Sequence, residues 1–383
     1  MIVQIINIAK ALLRVVYKCF WIFPQRKKMV LLSRQRNKPS VDFLLIADAV
    51  SKHYPQYQTV ILCKKLPLTT GGVLKYMPHL FTQLYNLATC TEVVIDGYVP
   101  AVSILKHRPN VTVLQTWHAL GAIKKFGHQA VGTKFGRSAQ IAESMQMHEN
   151  YDYVLCAGDG SAPAFCEAFN ITKDKLLLIA PPYTEKQLDA HHAETARERV
   201  VTAYPQLLQW KKERTVLYIP TFHGKIPGLN ELIATLLEDG YQVIFSRHPL
   251  DNVNSFDSRL LDDSLVEKNY IENTKCTSLD LQHVAGHIIT DYSATVLDAA
   301  LIGTPFCFYV PDIESYRKSP GLNIDPLIEF PSISTKHPSE VLTIIKNRAC
   351  TQEALVSLRT RYLNHVQPNA AAQIVQTLIN TKG

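Results

Sequence analysis

From Ile2 to Phe23 the chain is mostly Ile, Val, Leu, Ala and aromatic residues, yet Asn7, Lys10, Arg14 and Lys18 recur every three or four positions. That spacing predicts an amphipathic helix with one apolar face and one cationic stripe. After Pro24 the pattern changes to short β-rich runs separated by helix-length segments: Met29–Ser33, Ser40–His53, Thr59–Cys63, Thr70–Leu87, Glu92–Asp96 and Val111–Gln115. The alternation resumes at Tyr153–Cys156 and Leu176–Ile179, breaks at Pro181-Pro182, crosses the polar, helix-prone Glu185–Ala203 and restarts at Thr215–Ile219. The second half repeats it, with a helix over Leu229–Asp239, strands at Gln242–Ser246, His287–Thr290 and Phe306–Tyr309, and a helix over Ser293–Ile302. Strand and helix in alternation predict parallel sheet with right-handed crossovers. The expected architecture is α/β: two Rossmann-like domains facing a cleft, preceded by the helix, with residues 1–28, 29–185 and 186–383 as the three parts. Residues after Pro326 read as helices closing the second domain.

Charge sharpens the first part. The formal net charge is +7, and Lys10, Arg14, Lys18, Arg26, Lys27 and Lys28 fall in the first 28 residues, which hold no acid. The rest is nearly balanced, so composition does not predict a nucleic-acid-binding body. A membrane-spanning helix would bury the stripe's cations at roughly 2.5–3.5 kcal/mol each, whereas an interfacial helix sets them beside anionic headgroups for a gain of about 1 kcal/mol each. The expectation is a membrane-surface helix; a helix docked on the protein's own core is the alternative. No small-residue cleavage site follows the apolar run, so no signal peptide is expected. The eight cysteines form no CxxC pair, and His53, His191 and His192 lack partners at metal-ligand spacing, so neither zinc nor another metal is expected. GxGxxG and GxxxxGK[ST] are both missing from the sequence, which argues against a dinucleotide dehydrogenase and a P-loop enzyme.

Three segments carry chemistry at strand ends, where ligands of such sheets bind. In Gln115–Gly127, His118 can act as a general base, the glycines (Gly121 among them) admit close backbone approach, and Lys124 or Lys125 can meet an anion. Trp117 and His118 packed at a domain interface is the competing reading. In Phe245–Pro249, Arg247 and His248 suit a polyphosphate, or else Arg247 pairs with a neighbouring acid while His248 caps the loop. In Ile288–Thr295, Ser293 stands where a helix N-cap belongs, an arrangement that serves an anion site and ordinary capping equally. Asp96, before Gly97-Tyr98, either faces the cleft or forms the turn.

Taken together these motifs resemble the CDP-glycerol glycerophosphotransferase family of bacterial teichoic acid synthesis, of GT-B fold, over about Lys28 to Arg317. The resemblance lies in Trp-His-Ala-x-Gly-x-x-Lys-x-Phe-Gly at Trp117–Gly127, Tyr-x-Pro-Thr-Phe at Tyr218–Phe222, His-Pro at His248–Pro249, and Ile-Thr-Asp-Tyr-Ser at Ile289–Ser293 with Asp298 after it. The length is most similar to enzymes that add the first glycerol phosphate to a lipid-linked saccharide. The resemblance implies attack by an acceptor hydroxyl on the β-phosphorus of CDP-glycerol with CMP leaving, His118 taking the proton, and His248, Arg247 and Ser293 holding the pyrophosphate. Trp117, Gly121, Lys124, Thr221, His223, Ala294 and Asp298 complete the implied substrate contacts, with no cofactor and no obligatory metal. It departs from the family at His223, where Arg is more usual, at Ala294, which replaces a second Ser, and at Arg247, which directly precedes His248. Implied partners are CDP-glycerol or CDP-ribitol, an undecaprenyl-linked saccharide, an anionic membrane at its cytoplasmic face and other cell-wall synthesis enzymes, but no nucleic acid. Competing functions are a processive glycerol- or ribitol-phosphate polymerase, a nucleotide-sugar glycosyltransferase and a non-catalytic membrane scaffold.

Overall fold

The computed structural model describes all residues except Met1, Leu68, residues 222–224, Pro249, Leu250, Asn252, Asn254, Lys382 and Gly383. His223 therefore lies outside the described residues. The chain divides into two units, the first comprising Met1–His118, Phe126–Glu185 and His365–Gly383, the second Ala119–Lys125 and Lys186–Asn364.

The first unit is built on a parallel sheet of six strands: β1 Lys28–Ser33, β2 Gln58–Cys63, β3 Glu92–Ile95, β4 Thr112–Gln115, β5 Tyr153–Leu155 and β6 Leu176–Leu177. Their spatial order is β2-β1-β3-β4-β5-β6. Strands buried on both faces need continuous apolar runs, and Met-Val-Leu-Leu in β1 and Val-Val-Ile in β3 supply them. The direction in which strands are added reverses between β1 and β3, the switch point at which open sheets of this class part their loops.

The second unit repeats the plan with β7 Thr215–Ile219, β8 Gln242–Phe245, β9 Tyr270–Glu272, β10 His287–Thr290, β11 Phe306–Tyr309 and β12 Ser334–Thr335, ordered β12-β11-β10-β7-β8-β9. Its switch point lies between β7 and β10. The edge strands β9 and β12 were not expected from the sequence, because three- and two-residue edge pairings leave no hydrophobic period to read.

The carboxyl-terminal residues depart from the expected organisation. Helix Ala370–Asn380 belongs to the first unit, where Ala370, Ala371, Ile374, Val375 and Leu378 join the core of Phe43, Ile46 and Val50 on helix Val41–His53. Burying Ile374, Val375 and Leu378 contributes roughly 5–9 kcal/mol, an upper bound. The expected 186–383 domain thus loses its last segment, and residues 119–125 join the second unit through an antiparallel bridge. There Lys125 N–H donates to the Gly321 carbonyl at 2.9 Å and Asn323 N–H to that of Ile123 at 2.8 Å.

The amino-terminal helix, Ile2–Cys19, forms as expected but turns the other way. Lys10 Nζ donates to the Ser144 carbonyl at 2.8 Å and Arg14 Nε to that of Ile104 at 2.9 Å. Both carbonyls terminate short helices, where unpaired C=O groups and the dipole attract cations. Tyr17 is buried beside them. Ile5, Ile8, Leu12 and Val15, one apolar stripe, are 60–71% exposed instead. Lys28 is also not part of a charged tail: it opens β1 buried, donating to Thr89 Oγ1 at 2.7 Å and Asn86 Oδ1 at 3.1 Å.

Candidate active site

In the first unit, β4 runs into Thr116-Trp117-His118, and Trp117 adopts a left-handed backbone with φ of 60°. For an aromatic residue that conformation costs about 1–2 kcal/mol. It is held by Trp117 N–H donating to Gln115 Oε1 at 2.9 Å and by the indole stacking on Phe126, with ring centroids 4.7 Å apart, edge-on to Phe169 at 5.2 Å. The sharp turn presents His118 at the surface, its Nδ1 3.3 Å from the Asp96 carbonyl oxygen. A carbonyl only accepts, so this contact keeps the ring proton on Nδ1 and leaves the lone pair on Nε2, the tautomer a general base needs.

The Asp96 loop is itself fixed. Gln115 Nε2 donates to the Gly97 carbonyl at 3.1 Å, and Gln35 Nε2 packs so closely over Gly97 that a Cβ there would have to displace it. The Asp96 side chain is buried with Arg36 Nε at 3.5 Å, and burial raises its pKa against the effects of Ser33 and Arg36.

In the second unit Asp291, at the end of β10, accepts Thr221 N–H at 2.9 Å on both carboxylate oxygens and its neighbour Tyr292 N–H at 2.5 Å. It thereby ties the loops after β7 and β10 together across the switch point. Thr221 and Asp298 are buried. Tyr292 stacks on Tyr316 with centroids 3.7 Å apart, its hydroxyl donating to Asp312 at 2.9 Å, while the Tyr316 and Thr221 hydroxyls lie 3.4 Å apart. Lys124 approaches the same site: burial depresses its pKa and the Asp291 charge opposes that. His248 is likewise pushed down, first by burial and then by Lys124, with Asp251 and Asp291 acting the other way. Lys124, His248 and Asp291 thus form one electrostatic cluster with Thr221 beside it.

The remaining expected residues distribute as follows. Arg247 forms a 2.6 Å ion pair with Glu272 on β9, which was the structural alternative for this side chain. Ser293 stands one residue before the N-cap: helix Thr295–Ile302 begins at Ala294, and Ser293 Oγ accepts Thr295 N–H at 3.3 Å in a local turn. The sequence placed Ser293 too far along because Asp291, not Ser293, organises the turn. Gly121 is buried in the segment 119–125, and Lys124, read from sequence alongside His118, belongs with the second unit. Asp291 itself was visible in the motif but not singled out; an acid directly after an apolar strand and before a helix was its signal. Among the described residues no group of three His, Cys, Asp or Glu side chains is placed to hold a metal.

Residues 15–380 match the model of the family described as CDP-Glycerol:Poly(glycerophosphate) glycerophosphotransferase. The chain is 28% identical to a teichoic acid ribitol-phosphate primase of Bacillus spizizenii over 91% of this chain and 90% of that protein. It is 24% identical to a teichoic acid glycerol-phosphate primase of Bacillus subtilis over 88% and 84%. Its fold is similar to that of the wall teichoic acid polymerase TagF, with a TM-score of 0.69 at 17% identity, covering 98% of this chain and 97% of the solved one. With a match of this extent, the chain belongs to the CDP-glycerol:poly(glycerophosphate) glycerophosphotransferase family.

Proposed function

We propose that the protein transfers glycerol phosphate from CDP-glycerol to a hydroxyl of a lipid-linked saccharide in teichoic acid synthesis, releasing CMP. The observation that carries this is the contact of His118 Nδ1 with the Asp96 carbonyl just past the end of β4, set beside a family match that runs nearly the whole chain. The first unit is the acceptor domain and the second the CDP-polyol domain. Nε2 of His118 takes the acceptor proton as the hydroxyl oxygen attacks the β-phosphorus; the P–O bond to CMP breaks, and the charge leaves with CMP. Such transfers depend on positioning and charge neutralisation more than on covalent chemistry. Lys124 and His248 meet the pyrophosphate, and Thr221 with the Tyr292–Tyr316 stack walls the nucleotide side. These groups supply the neutralisation, so turnover is expected to persist in excess chelator.

Single addition is the reading preferred over polymerisation, supported by 28% and 24% identity to two primases against 23% to a poly(ribitol-phosphate) polymerase. A CDP-ribitol donor is the second reading, resting on the 28% identity to a ribitol-phosphate primase. The exposed stripe of Ile5, Ile8, Leu12 and Val15 supports a peripheral position on the cytoplasmic face of the membrane, close to an acceptor whose tail stays in the bilayer. No described helix is long and apolar enough to cross a membrane.

The test is CMP release from CDP-glycerol, with and without a short-chain lipid-linked disaccharide. Acceptor-dependent release that drops about 10²–10⁴-fold in His118→Ala supports the reading; turnover of a nucleotide sugar in its place overturns it. Ile8→Glu with Leu12→Glu is expected to abolish sedimentation with anionic vesicles while leaving release from the soluble acceptor unchanged. Sedimentation at the wild-type level would remove the stripe from the membrane contact.

A further inference from the structure

Between β1 and β3, at the switch point of the first unit, a group of cations stands apart from the residues assigned above. Arg34 leaves the end of β1, and its Nε donates to the Tyr98 carbonyl. Its guanidinium carbon lies 5.2 Å from the centroid of the Tyr98 ring, and that of Arg137 lies 5.3 Å from the same centroid. Both backbones are fixed: β1 ends at Ser33, and Gly132 N–H donates to the Arg137 carbonyl at 2.8 Å, closing the loop that carries it just before the N-cap Ser138. The buried ring of Tyr98 cannot swing away, because its hydroxyl donates to the Met145 carbonyl at 2.7 Å.

The balance of charge is unusual. Among the described residues neither Arg34 nor Arg137 forms an ion pair with a carboxylate, although the neighbouring Arg36 pairs with Asp96. Arg34 is partly buried, and the charge of Arg137 lowers its pKa further. The closest histidines add nothing negative: His148 is held neutral by burial with His128, Arg137 and Arg34 all acting in the same direction. Two guanidiniums held at one ring without an acid are destabilising by themselves, since like charges repel and Arg34 is partly withdrawn from water. Arg34 follows the carboxyl end of β1 at the switch point, and Arg137, from the loop before Ser138, meets it at the Tyr98 ring, so the pair has the position and the forked donor geometry for a phosphate oxyanion.

We infer that Arg34 and Arg137 are the receptor for a phosphate or diphosphate group bound to the first unit, and that this group belongs to the acceptor. The first half rests on the cation pair alone. The second rests on the transferase reading, in which the donor's pyrophosphate is met by Lys124 and His248 of the second unit. The acceptor hydroxyl is delivered to His118, which hangs from the Asp96 loop that continues into Tyr98. Neither arginine touches the reacting atoms; both position the acceptor.

Two measurements on the full chain separate these claims. Inorganic pyrophosphate is titrated into the wild type, Arg34→Lys and Arg137→Gln by calorimetry, without turnover. Arg137 is exposed, and its replacement is expected to leave the melting temperature unchanged. Binding is expected in the wild type and weakened about tenfold or more in Arg137→Gln, with Arg34→Lys in between; equal binding in all three overturns the site. Steady-state kinetics then assign the ligand. The acceptor KM is expected to rise about tenfold or more in Arg137→Gln with the CDP-glycerol KM unchanged, and an acceptor analogue lacking its diphosphate should be insensitive to the substitution. A rise in the CDP-glycerol KM instead would give the site to the donor, and weakened pyrophosphate binding with both KM values unmoved would mean a free anion is its ligand. Either result overturns the acceptor assignment while leaving the receptor standing. If the protein turned over no CDP-polyol at all, the calorimetry would still decide the receptor.

Discussion

The two units carry the same kind of sheet and use its switch point in opposite ways. In the second, a buried acid does the fastening: Asp291 accepts backbone N–H groups from the loops after β7 and β10, and the cations near it are drawn to a fixed negative charge. In the first, Arg34 and Arg137 converge on the Tyr98 ring, and the neighbouring Asp96 is paired with Arg36. One site is closed and internally compensated; the other is open and short of negative charge. Identical topology therefore says where a ligand goes, and the acid content of the loops says what that ligand must bring.

The contrast breaks most visibly at His118 and Asp291. His118→Ala is expected to lose activity with little change in melting temperature, since the side chain is exposed. Asp291→Ala is expected to lose both, because it strands the buried Thr221 N–H at a cost of about 1–3 kcal/mol and releases the loop. A thermal melt alongside the CMP assay distinguishes them, and an Asp291→Ala protein that melts like the wild type would mean Asp291 acts on substrate rather than on the loop.

A smaller effect sharpens the comparison within the first unit. Asp42 is buried, accepts Tyr183 N–H at 2.7 Å, and is pushed up from 3.8 to about 7 by burial. Its folded pKa lies above its unfolded one, so between about pH 4 and 7 the folded state binds more protons. Stability on this account falls as pH rises through that window and levels above it. Asp42→Asn is expected to flatten that slope, read as the change in denaturation midpoint between pH 5 and pH 7.5. An unchanged slope would place the titration elsewhere.

Most strands were legible because fully buried parallel strands write continuous apolar runs, as Met29–Leu32 and Val93–Ile95 do. That His118, Thr221 and His248 stand just past strand ends was legible because each comes within three residues of such a run. Lys10 and Arg14 were misread because periodicity gives the faces of a helix but not which face meets the protein; carbonyls at the ends of two distant short helices decided that. Ala370–Leu378 looked like any closing helix, since nothing local marks a contact with residues more than 300 positions away. Arg34 and Arg137 were not singled out from the sequence, although Arg34 directly follows a buried strand, which was the available signal.

That returning helix also sets an order of events. Its partners on the first unit, Phe43, Ile46 and Val50, are synthesised early, and the whole of Lys186–Asn364 must follow before Ala370–Asn380 exists. At roughly 5–20 residues per second the first unit waits about 10–40 s on the ribosome with that flank of its core uncovered. The nascent chain is most exposed to chaperones and proteases during this interval, and the second unit, though made later, can complete its fold first.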